Sequence, residues 1–245
     1  MAEHAHYDDD AGFWEEHADR LGGPVVDLGA AVGRVTIRVA LQGHEVWAVD
    51  TDREMLDVLA ERALRAGVRG LIHAVPGSMT DPLPVSDAGL VMVPMNTLQL
   101  LRQRSDQVRC LASAASGLRA GGEMIFDLAM PHLRETRALQ GEILDTGRGL
   151  DGDTGDVLLH TTTFDEVTPA TGEVRMRIVV DRIHRDGSRT SVERPHHLHL
   201  YDPDEIPALA LDAGLEVVAA CGGFRGEPLG PDSDRHVWRL RRPGP

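Results

Sequence analysis

The spacing of apolar and polar positions changes character several times along the chain. Val25 to Leu28 is a short apolar run carrying one acid, Asp27, and a second run from Glu45 closes on Asp50. Between them Val32 to Leu41 repeats its apolar positions at helical spacing, after a turn from Gly29 to Gly33. The pattern predicts strand, glycine turn, amphipathic helix and a second buried strand with a carboxylate at its tip. Ahead of it, Ala11, Trp14 and Ala18 share one face of a helix over residues 8–21. After it, Thr51 and Glu54 read as a capping box, Met55, Val58, Leu59 and Ala63 as the apolar face of a helix, and Gly67 as its stop. Residues 70–75 make a third strand, and the unbroken apolar run over 88–93 makes a fourth that is buried on both faces, hence parallel and central. Ser105 reads as the cap of the next helix, which leads into a fifth strand ending near Asp127.

From Gly141 to Leu200 helical spacing gives way to alternation, with Val174, Met176, Ile178 and Val180 set against Arg175, Arg177 and Asp181. Asp186 and Gly187 mark a hairpin turn, so three or four antiparallel strands are expected. Asp202, Pro203 and Glu205 open a last helix, and residues 215–221 and 236–240 form a final antiparallel pair. The fold class read from this pattern is α/β, with an inserted small antiparallel β-sheet. Residues 1–140 and 201–245 form the main domain and 141–200 the insertion.

The turn decides what the crevice holds. A dinucleotide fingerprint needs glycine at a second and a third place, for close approach of a pyrophosphate and for close packing of helix on strand. Counted from Gly29, those places are Ala31 and Arg34. Asp27 adds negative charge that repels phosphate and suits a cationic amine. One carboxylate at Asp50 can take both hydroxyls of a ribose. An amino-acid nucleoside fits better than a dinucleotide.

The segments VVDLGAAVGR and VWAVDTDREML resemble the first two motifs of the class I S-adenosylmethionine-dependent methyltransferases, with Asp27, Gly29 and Gly33 matching and Ala31 standing where the middle glycine is usual. The resemblance is strong to about residue 130 and looser beyond, and it implies a doubly wound, Rossmann-like sheet of seven strands with an antiparallel C-terminal strand. It implies S-adenosyl-L-methionine as cofactor, held by Asp27, Gly29, Ala30, Gly33, Asp50 and Thr51, with Ser78 where an acid often meets the adenine amine and Met79 after it. It also implies that Tyr7 reaches the cofactor's carboxylate and that Met95 borders the methyl group, with Trp14, Asn96 and Gln99 on the acceptor side. The segment Pro94-Met95-Asn96-Thr97 departs from the signature of amide- and base-methylating branches, which points to a small molecule as acceptor. In the small-molecule branch, which methylates amino sugars and antibiotic precursors, an insertion at this place covers the acceptor or joins subunits. A homodimer through the β insertion is thus one expectation.

Composition narrows the rest. The formal charge is −14, and an acidic surface repels nucleic acid. All 25 basic residues are arginine, which removes a Schiff-base lysine and the lysine of a phosphate-cradling P-loop. Cys110 and Cys221 lack metal-ligand spacing, no metal is expected at Asp127, and two distant thiols suit a reducing cytoplasm. The acidic start does not read as a signal peptide, and no run approaches the roughly 18 apolar residues of a membrane span.

Methyl transfer to a hydroxyl or protonated amine needs a base, and histidine serves near neutral pH. His197 and His199 share a strand face at the end of the insertion, opposite His196, and are the first candidates, followed by His132. Solvated histidines on an exposed strand are the alternative. The expected activity is methyl transfer to N or O of a small molecule in specialised metabolism. The alternatives are an enzyme that uses the cofactor without methyl transfer, such as a cyclase or decarboxylase, and a non-catalytic binding protein.

Overall fold

A computed structural model describes residues 10–129, 133–151 and 154–244. The chain divides into two compact units: one of Met1–Leu98, Gln103–Met130 and Asp202–Pro245, the other of Gln99–Arg102 and Pro131–Tyr201.

The first unit contains α1 (Ala11–Leu21), β1 (Val25–Leu28), α2 (Arg34–Leu41), β2 (Val46–Asp50), α3 (Arg53–Arg65), β3 (Ile72–Pro76), β4 (Ala88–Val93), α4 (Arg104–Gly117) and β5 (Leu118–Ala129). The second unit follows with α5 (Leu133–Ala138), β6 (Ile143–Leu150), β7 (Val157–Thr168), β8 (Glu173–Ile183) and β9 (Arg189–His199). The chain returns to the first unit with α6 (Glu205–Asp212), β10 (Glu216–Cys221) and β11 (Arg235–Arg241). Seven strands make one sheet in the order β10-β11-β5-β4-β1-β2-β3. Only β11 runs against its neighbours, pairing antiparallel with β5 and β10, while β1 is flanked by parallel β2 and β4.

That order carries the main functional consequence of the fold. From β1 the chain builds outward through β2 and β3, then crosses back to place β4 on the other side of β1. The strand order therefore reverses between β1 and β4, and the carboxyl ends of these strands open the crevice where ligands bind in such sheets. All four residues of β1 and all six of β4 are buried, as expected of central parallel strands. Trp14, Val25, Val39, Leu59, Leu90, Met92 and Ile125 belong to one core cluster. Glu123 on β5 accepts paired hydrogen bonds from Arg20 of α1 and Arg239 of β11. Burial alone would raise its pKa, but the two guanidinium partners hold it at about 2.

Several element boundaries differ from the sequence expectation for local reasons. Helix α2 starts at Arg34, not Val32, because Gly33 has φ 80° and cannot continue a right-handed turn. Asp52 caps α3 in place of Thr51, accepting from the amides of Glu54 at 2.9 Å and Met55 at 3.3 Å. The buried face of α3 is Leu56, Leu59 and Ala63, so Val58 points outward. Gln103 precedes α4, with Ser105 already inside its first turn, and α6 begins at Glu205, leaving Pro203 before the helix.

The second unit is a four-stranded antiparallel sheet in the order β6-β7-β8-β9, entered through α5, which packs on β7. Gly187, at φ 84°, turns β8 into β9, and Asp186 accepts from the Ser188 amide at 2.9 Å. Directly opposed residues of antiparallel strands share a face. Val174, Met176, Ile178 and Val180 therefore lie beside Leu198, His196, Arg194 and Val192. The reverse face is charged: Arg177 pairs with Asp165 at 2.8 Å and Glu193 at 3.6 Å, and Arg175 with Glu166. Among the described residues no helix is long and apolar enough to cross a membrane.

Candidate active site

The turn after β1 is built from left-handed residues: Gly29 at φ 79°, Ala31 at 46° and Gly33 at 80°. A Cβ on Gly29 would stand 2.3 Å from the Thr97 methyl, and one on Gly33 would stand 2.7 Å from Leu59 Cγ. Neither position tolerates a side chain. Ala31 does carry one, at a backbone angle that costs an L-residue about 1 kcal/mol. Its amide donates to Asp50 Oδ2 at 2.8 Å, so the carboxylate at the β2 tip holds the alanine where a glycine would sit without strain. Asp50 Oδ1 takes the Asp52 amide at 2.9 Å. Each oxygen keeps a second lone pair for a ribose hydroxyl. Thr51 beside it is exposed.

Asp27 is buried at 2% exposure. Thr36 Oγ1 donates to Asp27 Oδ2 at 2.5 Å, while Oδ1 is buried and has no hydrogen-bond partner among the described residues. Burial pushes this carboxyl up to about 7, against the Thr36 hydrogen bond and the Arg34 charge, which favour ionisation. A buried carboxylate oxygen without a donor is costly unless a ligand supplies one. An ammonium group satisfies it, and the S-adenosylmethionine amine is such a group.

The other side of the crevice is the end of β4. Met95 and Asn96 are both left-handed, at φ 59° and 61°. The Met95 amide donates to Asp127 Oδ1 at 2.7 Å, and Arg235 pairs with Asp127 Oδ2. Burial pushes Asp127 up to about 6 in spite of Arg235 and the Met95 amide. Asn96 Oδ1 is buried and has no hydrogen-bond partner among the described residues. In the loop after β3, Ser78 Oγ and Thr80 Oγ1 are 2.8 Å apart, and the Ser78 amide donates to Asp81 Oδ2 at 2.8 Å. Asp81 therefore braces the loop that carries Ser78 and Met79.

Trp14 is fully buried in the core, and its indole N–H donates to Asp10 Oδ2 at 2.8 Å. Asp10 is bound in turn by both terminal nitrogens of Arg34, at 2.5 and 2.8 Å, which ties the start of α1 to the start of α2. Gln99 is buried at 1% exposure and belongs to the second unit. Tyr7 and His132 lie outside the described residues. His197 is exposed on the charged face of the second unit, and His199 is half-buried with its ring edge-on to Tyr201, 4.6 Å between centroids. His196, on the apolar face, has a buried Nε2 without a hydrogen-bond partner among the described residues. Asp10, Arg34 and Arg235 were not singled out from the sequence as site residues, because each gains its meaning from a partner distant along the chain. Among the described residues no three His, Cys, Asp or Glu side chains gather as a metal would require.

The family described as a methyltransferase domain matches residues 25–122, which span the glycine turn, Asp50 and the end of β4. Over residues 25–122 the chain is therefore matched as a methyltransferase domain. Solved methyltransferases are similar to it in fold. CcbJ from Streptomyces caelestis is 25% identical, with 99% of each chain covered and a TM-score of 0.77. An S-adenosylmethionine-dependent methyltransferase from Clostridium acetobutylicum is 16% identical, covering 97% of this chain and 92% of its own, with a TM-score of 0.80. CalS10 from Micromonospora echinaspora, an amino pentose methyltransferase solved with S-adenosylmethionine bound, is 19% identical over 97% of this chain and 93% of its own, with a TM-score of 0.70. The last two show likeness of fold. No curated protein matches the chain by sequence.

Proposed function

We propose that this methyltransferase moves the methyl group of S-adenosylmethionine to a nitrogen or oxygen of a small molecule of the amino-sugar or antibiotic-precursor kind. The observation that carries the reading is the buried, unpartnered Oδ1 of Asp27 next to the glycine turn. It suits an ammonium and repels a diphosphate. When bound, the cofactor supplies an electrophilic methyl group on a sulfonium.

The chain's own residues align and protect the transfer. Gly29, Ala30 and Gly33 bring backbone close to the cofactor, Asp27 takes its amine, and Asp50, with Thr51 beside it, takes the ribose hydroxyls. Ser78 and Met79 border the adenine. Met95 stands near the methyl group, with Asn96 and Gln99 toward the acceptor. The acceptor's lone pair forms the new bond to carbon as the carbon–sulfur bond breaks, and a protonated or hydroxyl acceptor passes its proton to a base. His199 is the leading candidate for that base, ahead of the exposed His197. The insertion, whose apolar face is only half-buried along Met176, Ile178 and Val180, serves as acceptor cover or as the contact of a homodimer. Cys110 and Cys221 are free thiols, in keeping with a cytoplasmic site of action.

The test incubates purified protein with methyl-labelled S-adenosylmethionine and a panel of small amines, phenols and acids. Labelled acceptor is the expected result. Cofactor binding without any methylated product overturns the reading, as does tight binding of nicotinamide or flavin dinucleotides with none of the sulfonium compound. His199→Ala is expected to lower turnover on the order of a hundredfold with cofactor affinity retained. An unchanged rate removes it from the mechanism.

A further inference from the structure

Asp127 is a buried charged side chain near the carboxyl end of β4 to which the reading above gives no role. It lies on β5 at 0% exposure, with its oxygens divided between the Met95 amide and the Arg235 guanidinium. The amide it takes belongs to the first of two consecutive non-glycine residues with left-handed backbone, Met95 at φ 59° and Asn96 at φ 61°. Crowding of Cβ against the following carbonyl drives such a pair back toward ordinary angles. The carboxylate opposes that relaxation, because swinging the Met95 amide away strands both a donor and an acceptor. Asn96, displayed by this turn, has a buried amide oxygen with no partner. Its neighbour Thr97 packs against Gly29, so the turn touches the cofactor loop directly. An acceptor atom left unsatisfied there is a place made for an incoming N–H.

We propose that Asp127 is a positioning residue: by holding Met95 and Asn96 in left-handed geometry, it presents the Asn96 amide oxygen to the point of methyl transfer, where that oxygen accepts a hydrogen bond from an N–H of the occupant. This rests on the S-adenosylmethionine reading above, and it assigns Asp127 a task that is neither binding nor acid–base chemistry. Arg235 belongs to the same device, since it keeps the buried carboxylate charged and aligned toward β4.

The probes are S-adenosylhomocysteine, which has nothing at the transfer point, and sinefungin, which carries a primary amine there. Both are titrated calorimetrically, so no acceptor is needed. Wild-type protein is expected to prefer sinefungin about tenfold, the size of one charge-assisted hydrogen bond. Asn96→Gly tolerates the backbone angle while deleting the amide, and is expected to abolish that preference with S-adenosylhomocysteine affinity within about twofold of wild type. Asp127→Ala is expected to lose it equally, whereas Asp127→Asn, which still offers an oxygen to the Met95 amide, retains it. Adding Met95→Gly to Asp127→Ala removes the strain that drives relaxation and is expected to restore most of the preference. That double variant also serves if Asp127→Ala alone does not fold. A preference unchanged in Asn96→Gly, or unrestored in the double variant, overturns the proposal. Failure of wild-type protein to bind either probe would instead sink the methyltransferase reading itself.

Discussion

Two strained turns flank the crevice, and each is held by a carboxylate that accepts the amide of a left-handed, non-glycine residue. After β1, Asp50 takes the Ala31 amide at 2.8 Å, and at the end of β4, Asp127 takes the Met95 amide at 2.7 Å. The surroundings of the two acids differ. Asp50 is half-exposed, with no guanidinium bound to it among the described contacts, so water meets part of its charge. Asp127 is fully buried and depends on Arg235 for compensation. The same hydrogen bond therefore serves two purposes. At Asp50 it leaves a carboxylate free to meet a ligand, and at Asp127 it commits the carboxylate to the scaffold.

The comparison breaks most visibly in stability. Asp127→Ala strands a partly buried guanidinium and the partly buried Met95 amide, and should lower the unfolding free energy by about 3 kcal/mol, read from urea denaturation. Asp50→Ala opens a half-exposed site and should cost less than about 1 kcal/mol in the same experiment. Its main effect should fall on the cofactor: S-adenosylmethionine affinity is expected to drop about thirtyfold, through loss of two charge-assisted hydrogen bonds to ribose and of the Ala31 clamp. Equal stability losses in the two variants would show that burial does not distinguish the clamps.

The two turns also differ in how far the sequence revealed them. The turn with Asp27, Gly29, Gly33 and Asp50 was legible because glycine spacing and a strand-end acid are local signals, and the types of the elements around it followed from their periods; the order of strands in the sheet did not. The second clamp joins residues 32 apart, and its salt bridge joins residues 108 apart, so it exists only after β4, β5 and β11 have paired. Helix starts slipped by a residue or two where neighbours competed for the cap, as Thr51 did with Asp52. In the insertion, alternation separated His197 and His199 from His196 correctly. It gave no sign of which face would be covered, and the buried ring nitrogen without a partner belongs to His196.

Asp27 sharpens the contrast, because one of its oxygens is unclaimed by the scaffold. Its pKa is raised from 3.8 to about 7, chiefly by burial. The folded protein thus keeps a proton that the unfolded chain releases. Stability from this group is fully present below about pH 4 and is lost as pH rises through about 7. Cofactor binding runs the other way, since an ammonium needs the ionised carboxylate. S-adenosylmethionine affinity is expected to rise roughly tenfold between about pH 5.5 and about pH 7, and Asp27→Asn should flatten that profile. A wild-type affinity independent of pH over this range would mean that the free oxygen does not meet the amine.

The smallest effect tests why Ala31 stands at φ 46°. Ala31→Gly relieves about 1 kcal/mol of backbone crowding, but glycine also enlarges the conformational freedom of the unfolded chain. The two terms oppose each other, so the net gain should lie below about 1 kcal/mol, seen as a rise of a few degrees at most in the unfolding midpoint. The informative measurement is the same substitution in an Asp50→Ala background. With the clamp gone, alanine is free to leave the left-handed region and glycine no longer needs holding, so Ala31→Gly should recover part of the lost cofactor affinity while the ribose hydrogen bonds stay missing. Recovery of the whole loss would mean that Asp50 acts only through the turn. No recovery would mean that the turn keeps its shape unaided, and that the likeness between the clamps at Asp50 and Asp127 ends at geometry.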